Sequence, residues 1–188
     1  VSNSDLAART PTLRKWRTKA PRGAEFIARL DSKVAELGLD QTAAKPLWDK
    51  AIESVHALQA SALLLHTPSS FRPTAENIQA MRSCVSQYVL PCPFVWRADG
   101  LWEESEIYLE LCKSLNIIPV IDPLMWDEDE PLPDGTHYYW RILGGQGLTP
   151  RLSDYDLDRL ITLTEDQDKH GWVVFSSPHM MSAARRWK

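Results

Sequence analysis

Cysteine is scarce: Cys84, Cys92 and Cys112 are the only three in 188 residues, an odd number without the close spacing of metal ligands. That argues against a disulfide framework or a cysteine-built zinc site, and suits reduced, buried thiols in a cytoplasmic protein. The histidines His56, His66, His137, His170 and His179 show neither HxH nor HExxH spacing, so no metal is expected. No apolar run approaches the roughly 18 residues of a membrane span, and no signal-peptide pattern appears. A nucleophile elbow of the GxSxG type is missing too. The stretch "RILGGQG" (Arg141 to Gly147) lacks the lysine and Ser/Thr of a phosphate loop and the dinucleotide spacing, and reads as a turn. A cationic surplus is also absent. Lys and Arg total 21 against 25 Asp and Glu, for a net charge of −4, which argues against a general nucleic-acid or anionic-membrane binder. The exception is "TLRKWRTKAPR" (Thr12 to Arg22), where Arg14, Lys15, Arg17, Lys19 and Arg22 meet no acid. It reads as a solvated helix face, and nucleic-acid binding is the least favoured reading. The chain starts at Val1, so a missing or processed N-terminus is expected.

What is present is an alternation of short apolar runs and amphipathic stretches. Strands are expected at Glu25 to Arg29 (weakly), Ala62 to His66, Pro93 to Arg97, Ile117 to Ile121, His137 to Ile142 and Trp172 to Phe175. Their cores, "ALLL", "FVW", "IIPVI" and "VVF", are almost unbroken in apolar residues, as in parallel strands covered on both faces. Helices are expected at Lys45 to Ala60, Thr74 to Tyr88, Glu103 to Leu115, Ser153 to Thr164 and Pro178 to Trp187. Thr74 and Ser153 stand as N-caps. Strand and helix recurring in this way is the mark of βαβ units, and one domain over 1–188 is expected. The interval Asp122 to His137, rich in proline and acid, reads as a long loop that is either a solvated connection or a binding loop.

In a parallel sheet every strand ends on the same side, and ligands of α/β proteins bind at that edge. The residues at or just after the apolar runs are His66 and Thr67, Arg97 and Asp99, Asp122, Arg141, and Ser176 and Ser177. The stretch "LLLHTPSSFRPTAENI" (Leu63 to Ile78) shows the pattern: a buried strand gives way to polar residues before the next helix begins. Each residue also has a structural reading. His66 can bond a neighbouring backbone group, Asp122 can start a turn before Pro123, and Arg141 can pair with Asp122 or Asp99. Of the eight tryptophans, most should fill core volume. Trp96, Trp102 and Trp126 lie near strand ends, where they would either do the same or wall a ligand.

Taken in order, the pieces resemble the domain of unknown function 72 family, the YecE-like proteins. The matching stretches are "LRKWRTKAPRGAEFIAR", "ALLLHTPSSFRPTAENI", "NIIPVIDPL", "YYWRILGG" and "WVVFSSPHMMSAARRW", from about Thr12 to the C-terminus. The resemblance implies a TIM-type (β/α) barrel with outer helices, cytoplasmic, with no established reaction. The family's first strand, and its acidic second strand, are not evident. The strands counted here would correspond to its third through eighth, so the barrel is incomplete or closes differently. Open edges would then be covered by N-terminal residues or by a partner chain, as in a homo-oligomer. The site motifs depart from the family pattern. His66 stands for a glutamine, Leu143 takes a histidine position after the retained Arg141, and Ser176 and Ser177 replace paired asparagines.

The resulting expectation is an anionic small molecule at the strand ends, held by Arg97, Asp99, Trp102, Arg141, Ser176 and Ser177. Two readings of what happens there stand open. In one, a divergent enzyme acts on a phosphorylated or sugar-like molecule, with His66 or Asp122 moving a proton. In the other, favoured slightly by the departures, the barrel binds without chemistry. No cofactor is indicated.

Overall fold

Strand and helix alternate along the chain as the apolar periodicity requires. The computed structural model describes residues 8–102, 105–127, 130–144, 151–177 and 179–187. Contacts divide the chain into two compact units, Val1–Ile118 and Pro119–Lys188.

The first unit runs α1 (Thr10–Lys19), β1 (Ile27–Arg29), α2 (Lys33–Glu36), α3 (Lys45–Leu58), β2 (Ala62–Thr67), α4 (Ala75–Gln87), β3 (Phe94–Ala98) and α5 (Glu106–Leu115). β2 pairs with β1 and with β3, both parallel, setting Arg29 opposite Leu64 and His66 opposite Arg97. Side chains alternate faces along a strand, so Leu63, Leu65 and Thr67 point one way and Leu64 and His66 the other. The first set is fully buried and the second half-buried. Apolar packing therefore claims one face, and the other is left for polar groups.

The helices that cover the buried face form for legible reasons. α3 buries Trp48, Ala51, Val55 and Leu58 at three- and four-residue spacing. It stops where Gln59 turns left-handed and returns its N–H to the last carbonyls. α4 starts at Thr74, whose hydroxyl accepts the Asn77 N–H at 3.3 Å. Next to β3, Trp96 meets Trp102 and Tyr108 edge-on with ring centroids 4.9 Å apart in each case. Trp96 Nε1 donates to Thr67 Oγ1 at 3.0 Å, and the Tyr108 hydroxyl donates to the Trp96 carbonyl at 2.6 Å. These rings bury large areas with their polar tips satisfied, which locks the ends of β2 and β3 together.

The second unit begins within β4 (Ile118–Ile121), whose first residue closes the first unit, and goes on through β5 (Tyr138–Ile142), α6 (Asp154–Glu165), β6 (Gly171–Phe175) and α7 (Met180–Arg186). β5 pairs with β4 and with β6, again in parallel. Trp140 and Ile142 pack with Leu152, Leu157, Leu160 and Ala183 in a core of their own. α6 opens with a capping box in which Ser153 Oγ accepts the Asp156 N–H and the Asp156 carboxylate accepts the Ser153 N–H.

Element types follow the sequence closely, and the differences sit at boundaries. β3 runs one residue later than expected and β1 shrinks to three residues. The first residues of the helix expected from Glu103, the glycines Gly145 and Gly147, and Pro178 lie outside the described residues. The short α2 has no counterpart in the periodicity, because four residues carry too little pattern. The long loop after β4 begins with a 3-10 turn, Pro123–Met125. Among the described residues no helix is long and apolar enough to cross a membrane.

Candidate functional site

In the first unit the polar groups at the strand ends form one connected chain. His66, next to last on β2, takes Arg29 Nη2 at 2.7 Å on its Nδ1 and Asp99 Oδ2 at 2.7 Å on its Nε2. Arg97 Nη2 lies 2.9 Å from the other oxygen, Asp99 Oδ1. That last contact is an ion pair without hydrogen-bond direction: Asp99 Oδ1 is buried and accepts no directed bond among the described residues. Strand parity explains the gathering. Arg29 is level with Leu64, Leu64 and His66 share a face, and Arg97 is level with His66.

The loops hold this face in place. The Asp99 N–H donates to the Thr67 carbonyl at 3.0 Å, carrying the ladder one step past β3. Gly100 follows at φ +75°, where a Cβ would stand 2.7 Å from Ser69 Cβ and 3.0 Å from Ser69 Cα. Only glycine lets the chain after Asp99 pass so close to the loop after His66. That loop is pinned in turn by Phe71, buried and stacked on Trp102, whose indole N–H donates to the Phe71 carbonyl.

The charge state of the cluster follows from geometry. An arginine offers donors only, so the nitrogen facing it, Nδ1, must be the bare one, and the ring proton sits on Nε2 toward Asp99. Burial pushes the His66 pKa below the ordinary histidine value; the Asp99 hydrogen bond opposes it, and Arg97 and Arg29 add to the lowering. The ring is neutral at pH 7. Among the described residues the cluster then holds two guanidinium groups, Arg29 and Arg97, and one carboxylate, Asp99, a surplus of one positive charge. Side-chain exposure is 18% for His66, 26% for Arg97 and 29% for Asp99, so solvent reaches the group.

Of the remaining expected residues, Trp102 belongs to the first unit and Asp122, Arg141, Ser176 and Ser177 to the second. Trp102 is fully buried in the aromatic block, as is Trp96. In the second unit, Asp122 caps the turn after β4: Oδ1 accepts the Leu124 N–H at 3.1 Å and Oδ2 the Leu143 N–H at 2.9 Å. Burial raises its carboxyl above the usual range, and these two N–H groups and the Arg141 guanidinium pull it back only in part. Arg141 thus has Asp122 as an electrostatic neighbour. Ser176 extends the ladder, its N–H donating to the Ile142 carbonyl at 2.8 Å, while Ser177 is buried at the start of the turn into α7. A cavity of about 390 Å³ in this unit lies between the loop after β4 and α6, lined by Trp126, Tyr155 and Arg159 among others. Trp126, expected either to fill core or to wall a ligand, lines it, and His66, Arg97, Asp99, Trp102, Asp122, Arg141, Ser176 and Ser177 do not. Among the described residues no group of three or more His, Cys, Asp or Glu could hold a metal ion.

Arg29 is the participant that sequence reasoning missed. The signal was available: it ends a strand, as His66, Arg97 and Arg141 nearly do, but that strand was the weakest expected.

No family model matches the chain, and no curated protein matches it either. Two solved structures do. A DUF72 family protein of Thermotoga maritima aligns with TM-score 0.71 at 15% identity, covering 96% of this chain and 78% of that one. A DUF72 family protein of Enterococcus faecalis aligns with TM-score 0.70 at 15% identity, covering 96% and 77%. At that identity the likeness shows the fold, which agrees with the resemblance read from the ordered motifs. The fold class is α/β, an incomplete TIM-type barrel with six parallel strands among the described residues, where a full barrel has eight.

Proposed function

We propose that this chain, whose fold is that of the DUF72 proteins, binds a small anion at the C-terminal ends of β1, β2 and β3. The observation that carries the reading is the charge balance at His66: two guanidinium groups, one carboxylate and a neutral imidazole, part-exposed where ligands of parallel sheets bind. Arginine suits this task because its planar donor fork matches a carboxylate or phosphate. Turnover, as in an enzyme acting on a phosphorylated or sugar-like molecule, requires a titratable group turned toward the substrate. The contacts weigh against it, since both ring nitrogens of His66 and both oxygens of Asp122 already have partners. A reducing, cytoplasmic setting fits the three free cysteines.

The test is a thermal-shift screen of acetate, phosphate, sulfate, sugars and nucleotides on the wild type and on Arg97→Ala. A ligand at a hundred times its Kd stabilises by about 2.7 kcal/mol, a shift of several degrees. The expected result is stabilisation by anions that weakens in Arg97→Ala. The reading is wrong if no anion raises the wild-type melting temperature, or if the variant responds identically.

A further inference from the structure

We infer that Asp99 and His66 are positioning residues for Arg29, and that the Arg29 guanidinium is the group that grips the bound anion. This rests on the anion site proposed above and assigns the parts within it.

The argument starts from donor and acceptor inventory. Arg29 Nη2 and His66 Nδ1 are 2.7 Å apart, so the imidazole accepts there and carries its proton on Nε2. Asp99 Oδ2, 2.7 Å from Nε2, takes that proton as acceptor. The ring is thus held from both sides in one tautomer and one plane. The opposite tautomer would set N–H against N–H at Arg29 and a bare nitrogen against an oxygen at Asp99. With the ring fixed, its Nδ1 lone pair fixes one arm of the guanidinium.

The charges show what this arrangement is for. Asp99 is engaged by Arg97 at 2.9 Å and by the ring, and among the described residues no carboxylate oxygen lies within ion-pair distance of Arg29. An arginine serving the fold alone is commonly matched with a carboxylate. Arg29 is instead held by a neutral ring, with its Nε–H buried and without an acceptor. Of the two guanidinium groups it is the one whose charge is left uncompensated. It is also aimed by a device that adds no negative charge of its own. An anion arriving at the strand ends meets that cation already oriented.

The experiment uses the full chain labelled with ¹⁵N. Ring correlation spectra at pH 7.5 should show His66 as the Nε2–H tautomer; an Nδ1–H tautomer overturns the assignment. Titration with acetate, and separately with inorganic phosphate, should shift the Arg29 Nε–H resonance, identified by its loss in Arg29→Lys. His66→Ala should weaken the apparent Kd about tenfold or more. His66→Asn, whose amide oxygen replaces the Nδ1 acceptor, should recover most of that loss, which a merely space-filling role would not predict. Arg29→Lys keeps the charge but loses the fork, and should bind as weakly as His66→Ala. It gives the reading if His66→Ala fails to fold. If anions bind the wild type and Arg29→Lys or His66→Ala binds them equally tightly, the positioning role falls and the anion site stands. If neither anion shifts any resonance of Arg29, His66 or Arg97, the anion site itself falls.

Discussion

His66 should make the first unit sensitive to mild acid, and the size of the effect can be worked out. Its folded pKa is lowered, by burial first and then by the two arginines, against the Asp99 hydrogen bond. In the unfolded chain the ring titrates near the ordinary histidine value of 6.5. Above that pH neither state binds the proton, and the stabilisation is fully present. As pH falls through 6.5 the unfolded state takes up a proton that the folded state resists, so stability drops until the lower folded pKa is reached. One proton is worth at most about 1.4 kcal/mol per pH unit, so between pH 6.5 and 5.5 the loss has a ceiling of about 1 kcal/mol, reached when the folded ring takes up no proton in that window. Urea unfolding followed by tryptophan fluorescence at pH 7.5, 6.5 and 5.5 measures it. His66→Asn is the reference, because the other four histidines are common to both proteins and cancel. The wild type should lose more than the variant on acidification, by up to about 1 kcal/mol. Parallel pH profiles, or a wild type that gains on the variant at low pH, would refute the neutral, doubly bonded ring.

Three further outcomes are expected. Thr67→Val keeps the shape but removes the acceptor of the buried Trp96 N–H, and should cost about 1–3 kcal/mol in chemical denaturation; an unchanged midpoint would mean the indole finds another partner. Gly100→Ala places a methyl 2.7 Å from Ser69 Cβ at a φ of +75° and should destabilise by about 1–3 kcal/mol, so a melting temperature at or above wild type would contradict the close passage of the two loops. Burial pushes the Cys84 thiol up to about 12 and raises Cys112 further, so at pH 8 both should react with a thiol reagent only as fast as the protein opens, with half-buried Cys92 modified first.

Much of the fold could be read directly because parallel strands announce themselves. "ALLL" and "FVW" are apolar at every position, and both became strands within one residue of the expected ends. The caps at Thr74 and Ser153 were equally plain, since a hydroxyl before an amphipathic run has one obvious use. The site was only half visible. That His66, Arg97 and Asp99 stand near strand ends follows from the sequence; that they touch depends on register, which no local pattern encodes. Arg29 was passed over because "IAR" is too short to show a period. Trp102 was ambiguous for a different reason: a tryptophan after a strand looks the same whether it walls a pocket or fills a core. The ring packing on Phe71 and Trp96 emerges only from contacts between distant segments.

Arg29 closes a strand of three residues that, among those described, is laddered to β2 alone. Such a margin frays before the interior does, and each fraying event carries the guanidinium away from its imidazole rest. Any molecule gripping that guanidinium would therefore latch the margin shut. Occupancy would register as slowed amide exchange at Ile27–Arg29, making the weakest rung of the ladder its own reporter.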